Sequence, residues 1–251
     1  MRLAAAALVV LLAAPSSAVA GRQRTVALQL RVTGVGTVHV TGNGSFACRR
    51  TSCRHTVRVP AGRRITLRAA PAAGWKLTKW GGACGGTAAS CSLQPRDSTR
   101  VSVRFVPPGA RSNPYPLGTA VKLDGAWRLT VNSATLDADS QVAALNPPPP
   151  AGAQYALVNV SLTYVGTGFR NVFGYVDNWL GVEGAGKAEY RISCTPPPLD
   201  LSAVTDPVYP GQTVTGNLCF EIASSDASTL LLFGTATTPA DSYKTVYFAL
   251  R

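Results

Sequence analysis

The chain has 251 residues, 46% of them hydrophobic, 8% aromatic and 14% charged, with 24 Gly, 18 Pro and 6 Cys. That profile excludes a disordered tail, a coiled coil and a collagen-like fibre, each of which needs a bias absent here. Length admits one large domain or two small ones, and the formal charge of +12 becomes informative only when it is mapped along the chain.

The first twenty residues read as a secretory signal. Met1-Arg2 is a positive start, Leu3 to Ala14 an unbroken apolar run, Pro15 a break, and Ala18-Val19-Ala20 a small-x-small cleavage site. No Cys follows the cut, so no lipid anchor is expected there. No later stretch reaches the roughly 20 apolar residues of a membrane span. The expected product is secreted and extracellular, or associated with the cell envelope.

Export sets the meaning of Cys48, Cys53, Cys84, Cys91, Cys194 and Cys219. In an oxidising compartment six cysteines read as three disulfides, with about 15 connectivities open in principle. Clustering leaves Cys194 and Cys219 for one another. A zinc site is the rival for the first four, but C-x4-C and C-x6-C are looser than the usual zinc spacing.

Residues 21–106 read as short strands separated by turns. Val26, Leu28, Leu30 and Val32 alternate inward before Gly34-Val35-Gly36; Val38 and Val40 run into the turn dipeptide Asn43-Gly44. Residues 54–59 and 63–69 flank Pro60-Ala61-Gly62, a three-residue loop of the kind that closes a hairpin. Such a hairpin would set Arg58 opposite Arg64, Thr56 opposite Thr66 and Arg54 opposite Arg68, with Val57 and Ile65, and His55 and Leu67, on the buried side. Like charges directly opposite one another are destabilising, so Arg54, Arg58, Arg64 and Arg68 form the candidate anion-binding face. The competing reading is a solvated face in a chain with 19 Arg and 5 Lys.

Residues 107–118 carry a run of Pro and Gly and read as a stiff linker. Across it the charge changes sign. Residues 21–112 hold sixteen basic residues and one acid, Asp97; residues 113–251 hold seven basic and eleven acidic.

The first half resembles the divergent internalin B-repeat family of bacterial repeat domains. The resemblance rests on Gly34-Val35-Gly36, Cys48 and Cys53, Gly62 followed by Ile65-Thr66-Leu67-Arg68-Ala69-Ala70-Pro71, and Gly74-Trp75. It continues through Trp80-Gly81-Gly82-Ala83-Cys84-Gly85-Gly86, Cys91 and Val101-Ser102-Val103-Arg104-Phe105. It implies a small, grasp-like, strand-rich module that displays or binds. One copy stands where tandem copies are common. Trp75 and Trp80 lie near arginines, which suggests sugar stacking, but aromatics of this size more often fill a core. Cys84 and Cys91 enclose the flexible Gly85-Gly86-Thr87, which favours local bridges, Cys48 to Cys53 and Cys84 to Cys91, over crossed pairs.

Residues 119–251 repeat a two-residue period without a convincing helix. Trp127, Leu129 and Val131 alternate with Arg128, Thr130 and Asn132; Val158, Val160, Leu162 and Tyr164 with Asn159, Ser161 and Thr163; Val214, Leu218, Phe220 and Ile222 with Thr215, Asn217 and Glu221. The pattern predicts a sandwich of two antiparallel sheets, with Asn146 to Ala151 a protruding loop. Cys219 falls on the polar side of its strand, so its bridge to Cys194 should tie the Pro196-Pro197-Pro198 segment over the outside of a sheet. Trp127-Arg128-Leu129-Thr130-Val131-Asn132-Ser133, residues 152–160 and Tyr209-Pro210-Gly211-Gln212-Thr213-Val214-Thr215-Gly216 make this half similar to the immunoglobulin-like exported domains of the DUF4352 and MPT63 type. That group carries no agreed catalytic residues.

The expected class is all-β: a disulfide-containing module followed by an immunoglobulin-like antiparallel β-sandwich. An enzyme is not expected. His39 and His55 share their half with Asp97 alone, and nothing in spacing singles out Asp177, Glu183 or Glu189 as a glycosidase pair. No cofactor, metal or nucleic acid is expected. The basic half is expected to dock to an anionic envelope polymer or acidic glycan, and the sandwich offers a surface for a protein partner.

Overall fold

The computed structural model describes residues 23–124, 126–237 and 243–251. The secretory segment read at 1–20 lies outside them.

Eight strands fill the first half: β1 (Thr25–Thr33), β2 (Gly36–Val40), β3 (Gly44–Cys48), β4 (Ser52–Pro60), β5 (Ile65–Pro71), β6 (Lys76–Gly82), β7 (Ser90–Leu93) and β8 (Thr99–Val106). They form two four-stranded sheets, in the orders β4-β1-β8-β6 and β3-β2-β5-β7, with β1 and β8 parallel. Alternation dictates what lies between the sheets. Val26, Leu28, Leu30 and Val32 of β1 and Val101, Val103 and Phe105 of β8 meet Val38, Val40, Ile65, Leu67 and Ala69 of the other sheet in one apolar core. Each such buried Val, Leu, Ile or Phe side chain contributes about 1.5–3 kcal/mol.

Trp80 is 1% exposed in that core and Trp75 packs against it, so both fill the interior. The loop closed by Cys84 and Cys91 wraps over Trp80, whose Nε1 donates to the Ala88 carbonyl at 2.7 Å and whose backbone N–H donates to Gly86. Cys48 bonds to Cys53, Cys84 to Cys91 and Cys194 to Cys219. These bridges exclude the zinc alternative, since a bridged cysteine has no thiolate to give a metal.

The expected hairpin over residues 54–68 is not formed. Gly62 does take the left-handed conformation (φ 69°), but the loop carries the chain from one sheet to the other. β4 pairs along its whole length with β1, and β5 pairs with β2 and β7. A Gly-closed turn serves a hairpin or a crossing between layers equally well. Burial decides: Val59 on β4 and Ile65 and Leu67 on β5 reach one core from opposite walls, which they could not do as neighbours in one sheet. His55 is exposed and stacks on Phe46 at the open edge between the layers, ring centroids 3.9 Å apart.

Residues 107–118 are ordered by hydrogen bonds with the last strand of the chain, β18 (Tyr243–Ala249). The N–H of Tyr247 donates to the Gly109 carbonyl, that of Tyr115 to Tyr247, and that of Ala249 to Tyr115, all within 2.8–2.9 Å. Asn113 Nδ2 also donates to the Gly74 carbonyl at 2.8 Å.

The second half contains β9 (Val121–Leu123), β10 (Trp127–Thr135), helix α1 (Asp139–Val142), β11 (Ala153–Tyr164), β12 (Arg170–Asn171), helix α2 (Val172–Trp179), β13 (Gly181–Glu183), β14 (Glu189–Tyr190), β15 (Pro207–Val208), β16 (Thr213–Ala223), β17 (Leu231–Thr237) and β18. Two four-stranded antiparallel sheets, β16-β11-β10-β9 and β14-β13-β17-β18, enclose a core that includes Trp127, Leu129, Val160, Leu162, Leu218, Phe220, Leu232 and Phe248. β12 and β15 make a separate ribbon. The polar half of the alternation forms a ladder on the outside of the first sheet: Asn132 donates to Asn159, Asn159 to Asn217, and Ser161 and Thr163 bond to Thr215 and Thr213.

Cys219 faces that outer side as expected. It is 0% exposed there because α1, Tyr155 and Leu157 cover it in a small satellite core. The cysteine bridge brings in the 195–199 segment, which Asn217 holds through its side chain to the Pro197 carbonyl and its N–H to Leu199. α2 is a departure from the sequence reading. Its eight residues bury Val172, Tyr175 and Val176, and tertiary packing rather than propensity makes it helical.

Candidate functional site

The outward face of the sheet β4-β1-β8-β6 is built by the same alternation that makes the core. With Leu30 and Val32 turned in, Arg31 turns out; with Val101, Val103 and Phe105 turned in, Arg100, Ser102 and Arg104 turn out. The pairing then fixes the neighbours. Arg54 of β4 stands opposite Arg31, Arg31 beside Ser102, and Ser102 opposite Gly81 of β6. One step along the strands, Arg104 stands opposite Lys79; one step the other way, Gln29 stands beside Arg100 and its Oε1 accepts a 3.0 Å hydrogen bond from Arg100 Nε. Arg58 lies farther along β4, opposite Ala27.

These six basic side chains are exposed, and exposed Lys76, opposite Val106 of β8, adds a seventh at the end of β6. Among the described residues none is paired with a carboxylate; Asp97, the single acid of this half, is engaged with Arg24 at 3.2 Å. Two hollows open between these residues. One, of about 410 Å³, is lined by Gln29, Arg31, Arg54, Gly82, Arg100 and Ser102. The other, of about 350 Å³, is lined by Arg31, Thr33, Lys79, Gly81, Ser102 and Arg104. Small residues make their floors. A Cβ on Gly82 (φ 77°) would lie 2.3 Å from the Arg100 carbonyl oxygen, so only glycine fits at that wall.

The arginines singled out from the sequence are therefore divided. Arg54 and Arg58 belong to this face. Arg68 is on the outside of the other sheet, opposite His39 and Ser90, and Arg64 lies in the crossing loop just before β5. Arg31, Lys79, Arg100 and Arg104 were missed because they sit on three strands far apart in sequence. For Arg31, Arg100 and Arg104 the outward position was nonetheless present in the alternation of β1 and β8; in β6 a register shift between Leu77 and Lys79 breaks the period and hides Lys79.

The second half gathers its acids differently. Arg111 donates to Glu183 Oε1 and to the Gly184 carbonyl, and Tyr247 donates to Glu183 Oε2 at 2.8 Å. Burial, then the hydrogen bond to Glu183, raises the Tyr247 pKa, which keeps the phenol protonated as a donor. Glu189 pairs with Arg191. Asp177 and Asp200 border a shallow hollow with Ser202 and Asn146. Burial, then the charge of Asp200, raises the Asp177 pKa, while Asp200 accepts hydrogen bonds from Ser202 N and Oγ. Glu183 and Glu189 are thus committed to structural pairs. Among the described residues no cluster of three or more His, Cys, Asp or Glu could hold a metal, and no helix is long and apolar enough to cross a membrane.

Residues 35–107 match the family model of the divergent InlB B-repeat domain, which supports the resemblance read in the first half over β2 to β8. No curated protein matches the chain. Solved structures similar to part of it include the yjhA protein of Bacillus subtilis (13% identity, TM-score 0.37, covering 54% of this chain and 99% of that one). A functionally unknown protein from Listeria monocytogenes EGD-e is similar at 12% identity and TM-score 0.36, covering 53% and 82%. An uncharacterized beta-sandwich protein from Clostridium difficile 630 is similar at 9% identity and TM-score 0.34, covering 54% and 95%. The three disulfides and the bacterial repeat domain fit an extracellular protein.

Proposed function

We propose that this is an exported, non-catalytic envelope or extracellular binding module whose basic first half docks to anionic polymers through the solvent face of β4-β1-β8-β6. The observation that carries the reading is an asymmetry between two faces of one half. Arginine-rich composition alone would scatter cations over both outer surfaces. The outside of β3-β2-β5-β7 instead presents Thr37, His39, Ser45, Thr66, Ser90 and Ser92 with Arg68 on a strand and Arg49 bordering it, whereas the other face carries Arg31, Arg54, Arg58, Lys76, Lys79, Arg100 and Arg104. Concentrated like charge at an uncompensated face raises the local concentration of polyanions and speeds their capture.

The test is binding of the mature chain to a soluble polyanion at low and moderate salt. Replacing Arg31, Arg54, Arg100 and Arg104 by Ser should weaken it by about tenfold or more, the equivalent of roughly 1.4 kcal/mol gathered from several exposed contacts. Replacing Arg64 and Arg68 by Ser should change it by about twofold at most. Affinity should fall with ionic strength. Equal effects from the two sets would refute the assignment of this face.

A second reading, protein–protein interaction carried by the sandwich as an adhesin or chaperone-like envelope partner, is favoured by one feature. Phe169 and Tyr209 are 58% and 52% exposed and pack on each other at 6.2 Å, next to the β12-β15 ribbon. In either reading the chain divides at 107–118, and the second half is of the DUF4352 or MPT63 type.

A further inference from the structure

The two hollows on the basic face share Arg31 as a wall and Ser102 at the floor. Both side chains stand in one row, Arg54–Arg31–Ser102–Gly81, with Arg100 one outward position away along β8 and Arg104 one outward position away in the other direction. The hollows are therefore offset along the strand direction by two residues, about 7 Å. Each presents donors that converge from several sides: Arg31 from the neighbouring strand, Arg100 or Arg104 along β8, and the Ser102 hydroxyl from the floor. Lys79 completes the second hollow, and Gln29 holds Arg100 by its Nε, leaving the outer edge of that guanidinium for a ligand.

We propose that the two hollows are adjacent subsites for consecutive phosphates of a linear phosphodiester polymer with a short, base-free spacer, lying along β8. The proposal rests on the polyanion reading above and adds the ligand's chemistry and repeat. Three observations select this ligand. Donors arriving from the side, from along the strand and from below suit a tetrahedral anion, whereas one guanidinium fork alone satisfies a planar carboxylate. The offset of about 7 Å matches neighbouring phosphates joined by a short diol and is too close for a glycan with one carboxylate per disaccharide. Among the described residues the face carries no aromatic side chain on which a base could stack, which single-stranded nucleic-acid sites use.

The experiment compares synthetic propanediol phosphodiester oligomers with dodecanediol phosphodiester oligomers bearing the same number of phosphates, using the mature chain at fixed ionic strength. Occupation of both subsites by one strand should make the short-spacer oligomer bind about tenfold tighter or more. Gly81→Val, which fills the floor of the second hollow without changing charge, should erase most of that preference, and so should Arg31→Ser, which removes the shared wall. Retained preference in both folded variants would overturn the subsites. Equal binding of the two spacers would overturn the repeat while leaving the polyanion face standing. No binding of either would overturn both. Tighter binding of polygalacturonate, or of oligothymidylate, than of the propanediol oligomer would overturn the phosphodiester assignment in favour of a carboxylated glycan or a nucleic acid respectively.

Discussion

Arg111→Ala should destabilise the chain through the carboxylate it leaves behind. Glu183 is 5% exposed, on β13 in the sheet that β18 completes, and accepts from Arg111 and from the Tyr247 hydroxyl. Breaking a buried pair by removing one partner costs about 3–5 kcal/mol, because the remaining charge is uncompensated. The Arg111 side chain is 29% exposed, so water reaches the vacated site and the expected cost falls to about 2 kcal/mol. In a chain of this size that is a drop of about 5 °C in melting temperature. The double variant Arg111→Ala, Glu183→Gln should recover about half of the loss, since a neutral amide keeps the Tyr247 bond without a buried charge. Urea titration with tryptophan fluorescence supplies all four corners of the cycle. A loss below about 0.5 kcal/mol for Arg111→Ala, or no recovery in the double variant, would show that Arg111 does not compensate a buried charge on Glu183.

Gly34→Ala should cost about 3 kcal/mol or more, because φ is 86° there and the new Cβ would lie 2.3 Å from the Phe105 carbonyl oxygen and 2.9 Å from the Trp75 ring; denaturant midpoints measure it. Removing the Cys194–Cys219 bridge by paired Ala substitution should cost about 3 kcal/mol and expose residues 195–199 to limited proteolysis, with the cut mapped by mass spectrometry. Tyr175, Tyr190 and Tyr247 all have pKa values raised chiefly by burial. A folded-state pKa above the unfolded one gives stability that is full below about pH 10 and is lost as pH rises through the folded value. Phenolate absorbance should therefore rise together with loss of tertiary circular dichroism above that pH, and ionisation of every tyrosine in a still-folded chain would contradict it.

Period-two alternation was legible wherever a strand had one buried face. Val26 to Val32 and Val158 to Tyr164 lie as read, and the outward side of Cys219 followed from the same rule. What failed was partner choice. The loop at Pro60-Ala61-Gly62 encodes a bend and a left-handed glycine, but not whether the next strand returns beside β4 or crosses to the facing sheet; that depends on which walls of a core are still uncovered. Helix α2 escaped because Val, Phe, Tyr and Trp in its eight residues favour strands locally. Residues 107–118 read as a linker from their Pro and Gly, since their hydrogen bonds go to β18, over a hundred residues away and invisible to local pattern. The basic face was half visible for the same reason: β4, β1 and β8 each declared their outward arginines, and only the order β4-β1-β8-β6 put them side by side with Lys79.

That order creates a conflict that separates a binding face from a merely soluble one. Arg54 opposite Arg31 and Lys79 opposite Arg104 each weigh against the folded sheet by about 0.2–1 kcal/mol. A surface shaped for stability would place an acid at one position of each pair. Arg54→Gln should therefore stabilise the first half by a few tenths of a kcal/mol at low salt, and this gain should shrink as sodium chloride screens the repulsion in the parent chain. The same substitution should weaken polyanion binding, because it removes a cation from the wall of the first hollow. Opposite signs on stability and binding are the signature of charges kept for a ligand. Melting curves of Arg54→Gln and the parent at two salt concentrations, set beside their polyanion affinities, measure both signs at once. A variant that is less stable than the parent, or one that binds as well, would show that Arg54 serves the fold.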